Sequence, residues 1–252
     1  MSLSFNQVYC GDCLDVMQQI AAKSVDMVLC DLPYGTTHCA WDVIIPMEKL
    51  WAAYLRILKN KGVVCLFGTE PFSSYLRLSN PSWYKYDWYW NKGRGANFLF
   101  GNRQPLKVIE TISVFYDKQP TYNPQKFWNP QGISTRHLKI NPKRFHPRIH
   151  EVMGTGWKKP SLEVGSSYEP DKLLPKTLIT FTKDTKRYHP TQKPAPLLEY
   201  LIRTYTKVGD LVLDNCAGSG STGVAAMALG RDFLLIEKEE HYCLIAQERL
   251  SQ

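Results

Sequence analysis

The sequence predicts an α/β protein built on a mostly parallel sheet, and three observations predict it. Short apolar runs alternate with stretches of helical spacing through the first part of the chain. The same alternation returns after His189. Near the C-terminal end a glycine loop, "DNCAGSG", joins a strand candidate to a helix candidate.

Taken in order, "QVYC" is a short strand. "CLDVMQQIAA" places Leu14, Met17 and Ile20 at helical spacing. "VDMVLC" is a buried strand ending at Cys30, "MEKLWAAYLRILKNKG" a helix closed by Gly62, and "VVCLFG" a further buried strand. From Lys118 the periodicity fails, and "QPTYNPQKFWNPQG", "INPKRFHPRIHE" and "SYEPDKLLPK" read as an irregular insert. After it come helix "APLLEYLIRTYTK", strand "LVLD", the glycine loop, helix "TGVAAMALG", strand "FLLIE" and helix "EHYCLIAQERL". No internal repeat or low-complexity tract is present.

With 44% hydrophobic and 21% charged residues, 252 residues suffice for one large domain carrying an insert. No apolar run approaches the roughly 18 residues that a membrane-spanning helix needs. The N-terminal stretch lacks a secretion-signal profile, and seven cysteines stand at irregular spacing. A cytoplasmic protein is expected. The net charge of +8 is uneven: Lys118 to Arg187 holds 14 Lys and Arg against 5 Asp and Glu, a local +9. Such clustering fits either a nucleic acid partner or a solvated basic surface.

Gly218, Gly220 and Gly223 have G-x-G-x-x-G spacing between strand and helix, and Glu237 ends the next strand. Glycines there allow a tight turn and close approach of a ligand, and a strand-end carboxylate can accept from both ribose hydroxyls of an adenosine. A dinucleotide and S-adenosylmethionine both satisfy this pattern. Tight strand–helix packing alone also explains many such glycines.

"DLPYG" at Asp31–Gly35 directly follows the strand ending at Cys30. By itself it reads equally as a turn or as a working site. Together, "DLPYG", "HPTQKP" at His189–Pro194 and "DNCAGSG" at Asp214–Gly220, in that order, resemble the β-class amino-methyltransferases of DNA. "GDCLDVM" and "YWNKGRGANFLFGNRQPLKVIETISVFYDK" resemble the family's flanking segments. The likeness covers the chain outside the basic block.

The resemblance implies a Rossmann-like fold of the S-adenosylmethionine-dependent kind: seven mostly parallel strands, helices on both faces and a basic target-recognition insert. Catalytic half, insert and cofactor half would span 1–117, 118–187 and 188–252. Asp31 and the Leu32 carbonyl would hold the two N–H groups of a nucleobase amine, Pro33 would fix the turn, and Tyr34 would stack on the base. S-adenosylmethionine would lie against Asp12, Cys13, Asp31, Lys193, Asp214, Cys216, Gly218, Gly220, Ser221, Thr222 and Glu237. Lys193 would meet the cofactor's carboxylate. From the residues themselves, Lys143, Arg144 and Arg148 of the basic block are candidates for contact with a DNA backbone, and Lys92 and Arg94 stand on a Gly-rich loop that reads either as a flap near the target base or as a simple connection. Two departures stand out: Leu32 replaces the commoner Pro, and Cys216 replaces a usual Phe.

Asp at the first position of the motif leans to adenine-N6, with cytosine-N4 as the alternative. RNA as substrate and an inactive nucleic-acid-binding protein are lower-ranked readings, and a nicotinamide-linked enzyme leaves "DLPYG" unexplained. A base within a duplex must be flipped out to be reached. The small insert suits a solitary or phage-type enzyme of a prokaryotic setting; homodimer and partner nuclease stay open.

No metal is expected. Cys10 and Cys13 form a C-x-x-C that could be redox-active or join His38 and Cys39 at zinc, but buried reduced thiols are favoured. His146 and His150 are separated by Pro147, which spoils helical presentation. Trp83, Trp88 and Trp90 sit at strand spacing, more often core or partner-facing than base-stacking.

Overall fold

A computed structural model describes residues 3–35, 42–128, 172–186 and 188–252. Lys143, Arg144 and Arg148, like His38, Cys39, His146 and His150, lie outside the described residues.

The chain begins with β1 (Gln7–Cys10), α1 (Cys13–Met17), β2 (Val25–Cys30), α2 (Met47–Ile57), β3 (Leu58–Gly68) and α3 (Phe72–Ser79). A hairpin follows, β4 (Tyr84–Ala96) and β5 (Lys107–Phe115), with a short 3-10 turn at Phe98–Phe100. After β6 (Phe127–Trp128), β7 (Lys172–Leu173) and β8 (Leu178–Thr180) come α4 (Ala195–Tyr205), β9 (Leu211–Asp214), α5 (Ser221–Ala228), β10 (Asp232–Glu237) and α6 (Glu240–Leu250).

The main sheet has the order β1-β10-β9-β2-β3-β5-β4-β8. Only the pairings of β5 with β3 and β4 are antiparallel. Eight strands replace the seven expected, because Leu178–Thr180, from the tail of the basic block, adds in parallel to β4 at Tyr89–Asn91. Period-2 burial gives the sheet two apolar faces. Val28, Cys30, Val64 and Leu66 pack with Met17, Leu50, Tyr54 and Leu76 of the N-terminal helices. Met27, Leu29, Val63 and Cys65 pack with Leu197 and Leu201 of α4 and Ala225 and Ala226 of α5. Each fully buried Leu in these layers contributes about 1.5–3 kcal/mol.

Two elements differ from the sequence expectation. The first helix stops at Met17, and the chain continues in tight turns. The Arg56 guanidinium of α2 donates to the Met17 and Ile20 carbonyls at 2.6 and 2.8 Å, satisfying a helix end early. The second helix ends at Ile57 rather than near Gly62. Leu58 is already extended and pairs with Val25, and burial of its side chain rewards the switch to strand.

Met1–Gln125 with Lys176–Gln252 form one compact unit and Lys126–Pro175 a second. The flanks of the basic block thus belong to the sheet unit. Asn123 ties one flank to α4, its side chain donating to the Arg203 and Thr206 carbonyls at 3.1 Å. In the second unit the described residues form the antiparallel pair of β6 and β7. No helix among the described residues is long and apolar enough to cross a membrane.

Candidate active site

β9 pairs with β2, and β10 with both β9 and β1, so the carboxyl ends of these strands share one edge. Chain direction diverges there, between β2 and β9, which is where open α/β sheets hold ligands. A cavity of about 240 Å³ opens at that edge. Asp12, Cys13, Asp31, Pro33, Lys193, Asp214, Cys216, Gly218, Ser221, Thr222 and Glu237 line it. Leu32 is buried in the core beside it.

The glycine loop is held from both ends. Asp214 accepts from the Cys216 N–H at 3.1 Å and from the Thr222 hydroxyl at 2.6 Å, pinning loop to helix. Burial pushes the Asp214 carboxyl up to about 6 against these hydrogen bonds. Gly220 precedes α5 at φ +77°, and a Cβ there would meet Ala246 Cβ at 2.9 Å. Only glycine fits both conditions. Glu237 accepts from Gly218 N–H at 2.7 Å and Glu239 N–H at 2.9 Å, which fixes its carboxylate at the cavity wall. Asp12 caps α1 by accepting from Leu14 N–H at 2.9 Å.

The "HPTQKP" segment borders this loop. Gln192 accepts from Tyr188 N–H at 2.9 Å, and the His189 ring meets Tyr242 edge-on at 4.2 Å. Burial, with Lys193 nearby, lowers the His189 imidazole to about 4. Arg249 donates to the Ser219 carbonyl at 2.5 Å and Ser221 Oγ at 3.1 Å, and lies over the Tyr188 ring.

At the catalytic motif, Tyr34 Oη donates to Asp31 Oδ1 at 2.5 Å and Lys193 Nζ donates to Asp31 Oδ2 at 2.6 Å. The Tyr34 ring stacks on Phe72 with centroids 4.8 Å apart. Asp42 accepts from the Tyr34 and Gly35 N–H groups at 2.7 and 2.9 Å, which sets the turn. Burial pushes the Asp31 carboxyl above its usual range; Lys193 pulls it down and the Glu110 charge pushes it up. Burial opposes the Lys193 charge, but Asp31 and Glu110 hold the ammonium above its ordinary value.

The Lys193 ammonium, which lines the cavity, sits on Asp31 with Glu110 at 3.4 Å. One placement departs from the sequence reading. Lys92 is buried and donates to Glu110 at 3.0 Å. Strand alternation turns it inward, which removes it from a phosphate-contacting surface; Arg94 remains at the hairpin surface. The Cys10 and Cys13 thiols diverge. Cys13 hydrogen-bonds with Cys216, and burial pushes nearby Cys30 up to about 12, so these thiols are neutral. All six described cysteines are free.

Glu110, Asp42 and Phe72 were missed by sequence reasoning. Glu110 carried a signal: it is the single acidic residue in the apolar strand "KVIETISVF". Asp42 and Phe72 carried none, since their contacts depend on a chain reversal.

The lining mixes carboxylates with apolar side chains such as Leu29, Ile45 and Phe67. That set suits a nucleoside, with a polar sugar and a flat base. A family model described as DNA methylase, of the N6/N4 methyltransferases, matches residues 25–248. The type II methyltransferase M1.MboII of Moraxella bovis is 28% identical over 99% of this chain and 98% of its own. The DNA adenine methyltransferase YhdJ of Escherichia coli K12 is 26% identical over 95% of this chain and 81% of its own. The crystal structure of the M1.HpyAVI–SAM complex superposes with TM-score 0.62 at 22% identity, covering 98% of this chain and 99% of that one. This chain therefore belongs to the N6/N4 methyltransferase family of DNA methylases.

Proposed function

We propose that this protein methylates the exocyclic N6 amine of an adenine flipped out of DNA, with S-adenosylmethionine as donor, in the cytoplasm of a prokaryotic or phage-infected cell. The observation that carries the reading is that Asp31, directly after β2, and Glu237, at the end of β10, line one cavity at one sheet edge. Bound there, S-adenosylmethionine supplies a methyl group activated by its sulfonium. Glu237, fixed by two main-chain N–H groups, accepts from the ribose hydroxyls, and the glycine loop lets the nucleoside approach the main chain.

Asp31 Oδ and the Leu32 carbonyl accept the two amine N–H bonds, turning the nitrogen lone pair toward the methyl carbon. As the N–C bond forms, the C–S bond breaks and its electron pair stays on sulfur. The cationic nitrogen then gives a proton to Asp31, which passes it to solvent. This is catalysis by position and charge. Tyr34, seated on Phe72 and Asp42, is held where its ring can face the base. Arg94 contacts the DNA backbone from a hairpin, residues 92–107, that carries basic but no acidic residues.

Incubation with methyl-labelled S-adenosylmethionine and unmethylated genomic DNA, followed by nucleoside mass spectrometry, tests this. N6-methyladenine is expected, and Asp31→Ala removes at least about 99% of it, the scale of losing a preorganised polar contact. Cytosine-N4 is the second reading, since the matching family spans both amines. Labelled N4-methylcytosine would establish it, and no DNA label would move the search to RNA.

A further inference from the structure

Both oxygens of the Asp31 carboxylate are engaged, Oδ1 by the Tyr34 hydroxyl and Oδ2 by the Lys193 ammonium. A substrate amine that needs this carboxylate must displace or share one of them. Displacing the tyrosine would disturb a ring locked between Phe72 and the turn held by Asp42. Displacing a buried ammonium into nothing costs several kcal/mol.

The structure supplies an alternative. Glu110 lies on β5, pairing with Trp90 of β4, and is nearly buried. Its Oε1 accepts from Lys92 at 3.0 Å, whereas its Oε2 is buried and, among the described residues, is met only by the long ion pair to Lys193. Lys193 Nζ stands 3.4 Å from that Oε2, just short of a hydrogen bond, while being 2.6 Å from Asp31. A movement below about 1 Å exchanges one acceptor for the other, within ordinary hydrogen-bond lengths. A buried carboxylate oxygen held only by a long ion pair is under-satisfied, and here its partner is the cation that must let go of Asp31.

We propose that Glu110 and Lys193 are a pair of positioning residues: Lys193 keeps Asp31 ionised, and Glu110 takes the ammonium over as Asp31 accepts the substrate amine. This rests on Asp31 being the amine's acceptor. Charge balance is kept throughout, because the ammonium stays between two carboxylates whichever it bonds.

Lys193, Glu110 and the Tyr34 hydroxyl act on Asp31, with Asp214 on the neighbouring strand; Lys193, Lys92 and Lys183 act on Glu110. Removing Glu110 therefore takes a like charge from Asp31 and leaves Lys193 to it alone. Removing Lys193 leaves Asp31 buried beside a second carboxylate. The two changes shift the ionisation of Asp31 in opposite directions.

The experiment compares wild type, Glu110→Gln, Lys193→Met and the double variant in methyl transfer to unmethylated genomic DNA across pH 5–9. Calorimetry with S-adenosylmethionine runs on each. Glu110→Gln is expected to lower kcat about tenfold or more, the scale of one charged hydrogen bond, with KM for DNA and cofactor Kd little changed. Its acid limb in kcat/KM moves to lower pH, whereas that of Lys193→Met moves to higher pH. The double variant loses no more than Lys193→Met, because without the ammonium Glu110 has nothing to take over. Independent, multiplying losses or unmoved acid limbs in an active wild type overturn the proposal alone. A wild type that binds cofactor and labels no nucleic acid overturns the underlying reading as well. If Glu110→Gln loses cofactor binding by unfolding, the upward limb shift of Lys193→Met decides.

Discussion

Lys193 Nζ lies 2.6 Å from Asp31 Oδ2 although 162 residues separate them. The contact joins the segment before α4 to the end of β2, and it makes the catalytic motif and the "HPTQKP" segment one electrostatic unit. Burial opposes the charge of each, and each supports the charge of the other.

Glu237 makes cofactor binding the most direct readout of the cavity. Glu237→Gln keeps the shape but loses the charge that two N–H groups and a ribose would share. The Kd for S-adenosylmethionine is expected to rise about tenfold to a hundredfold, from the roughly 1.5–3 kcal/mol of charged hydrogen bonds. Titration calorimetry measures it, and an unchanged Kd would remove Glu237 from the cofactor site.

Gly220 and Gly209 both have positive φ, +77° and +82°, yet a Cβ at Gly209 meets open space while one at Gly220 meets Ala246. Alanine at either costs about 1–2 kcal/mol for the backbone alone. Gly220→Ala is expected to lose more than Gly209→Ala in thermal unfolding, lowering Tm by several degrees further. Equal losses would mean that the approach of α6 to the loop is not tight.

His189 contributes to the pH dependence of stability. Its folded pKa of about 4 lies below the ordinary 6.5. The native state thus binds fewer protons than the unfolded chain between those values. Its contribution is full above pH 6.5 and is lost as pH falls through about 4. A loss of about 2 kcal/mol is expected, reduced from 1.36 kcal/mol per unit for the ring's partial solvent access. Urea unfolding of His189→Gln should lack this component between pH 6.5 and 4, and an identical profile would refute it.

Arg94 separates surface charge from buried charge on one strand. Arg94→Ala is expected to weaken DNA binding at all sequences alike and to reduce the salt slope by about 0.9 per lost phosphate contact. Binding of a labelled duplex across a salt series tests this. A sequence-dependent effect would instead place Arg94 against base edges.

Much of the site could be read along the chain. Asp31, Gly218, Gly220 and Glu237 each stand at a strand end or in the loop that follows, and strand ends show locally as apolar runs broken by polar residues. The pairing of β1 with β10 and of β2 with β9 brings these strand ends to one edge. Local pattern read Trp83, Trp88 and Trp90 as core or partner-facing; the structure buries Trp88 and Trp90, whose indole N–H groups donate to Tyr205 and to the Phe181 carbonyl, and leaves Trp83 partly buried.

By itself the sequence determined the α/β alternation, the glycine loop, the catalytic motif and the family, because these depend on residues close together in the chain. Tertiary structure decided what those residues touch. It shortened α1 by bringing Arg56 to its end, added Leu178–Thr180 as an eighth strand, buried Lys92 on Glu110 and set Lys193 on Asp31. Each of these joins partners distant in sequence, and each is decided by desolvation. A charge turned inward by strand register must find its counter-charge on whatever element packs there, and no local pattern names that element.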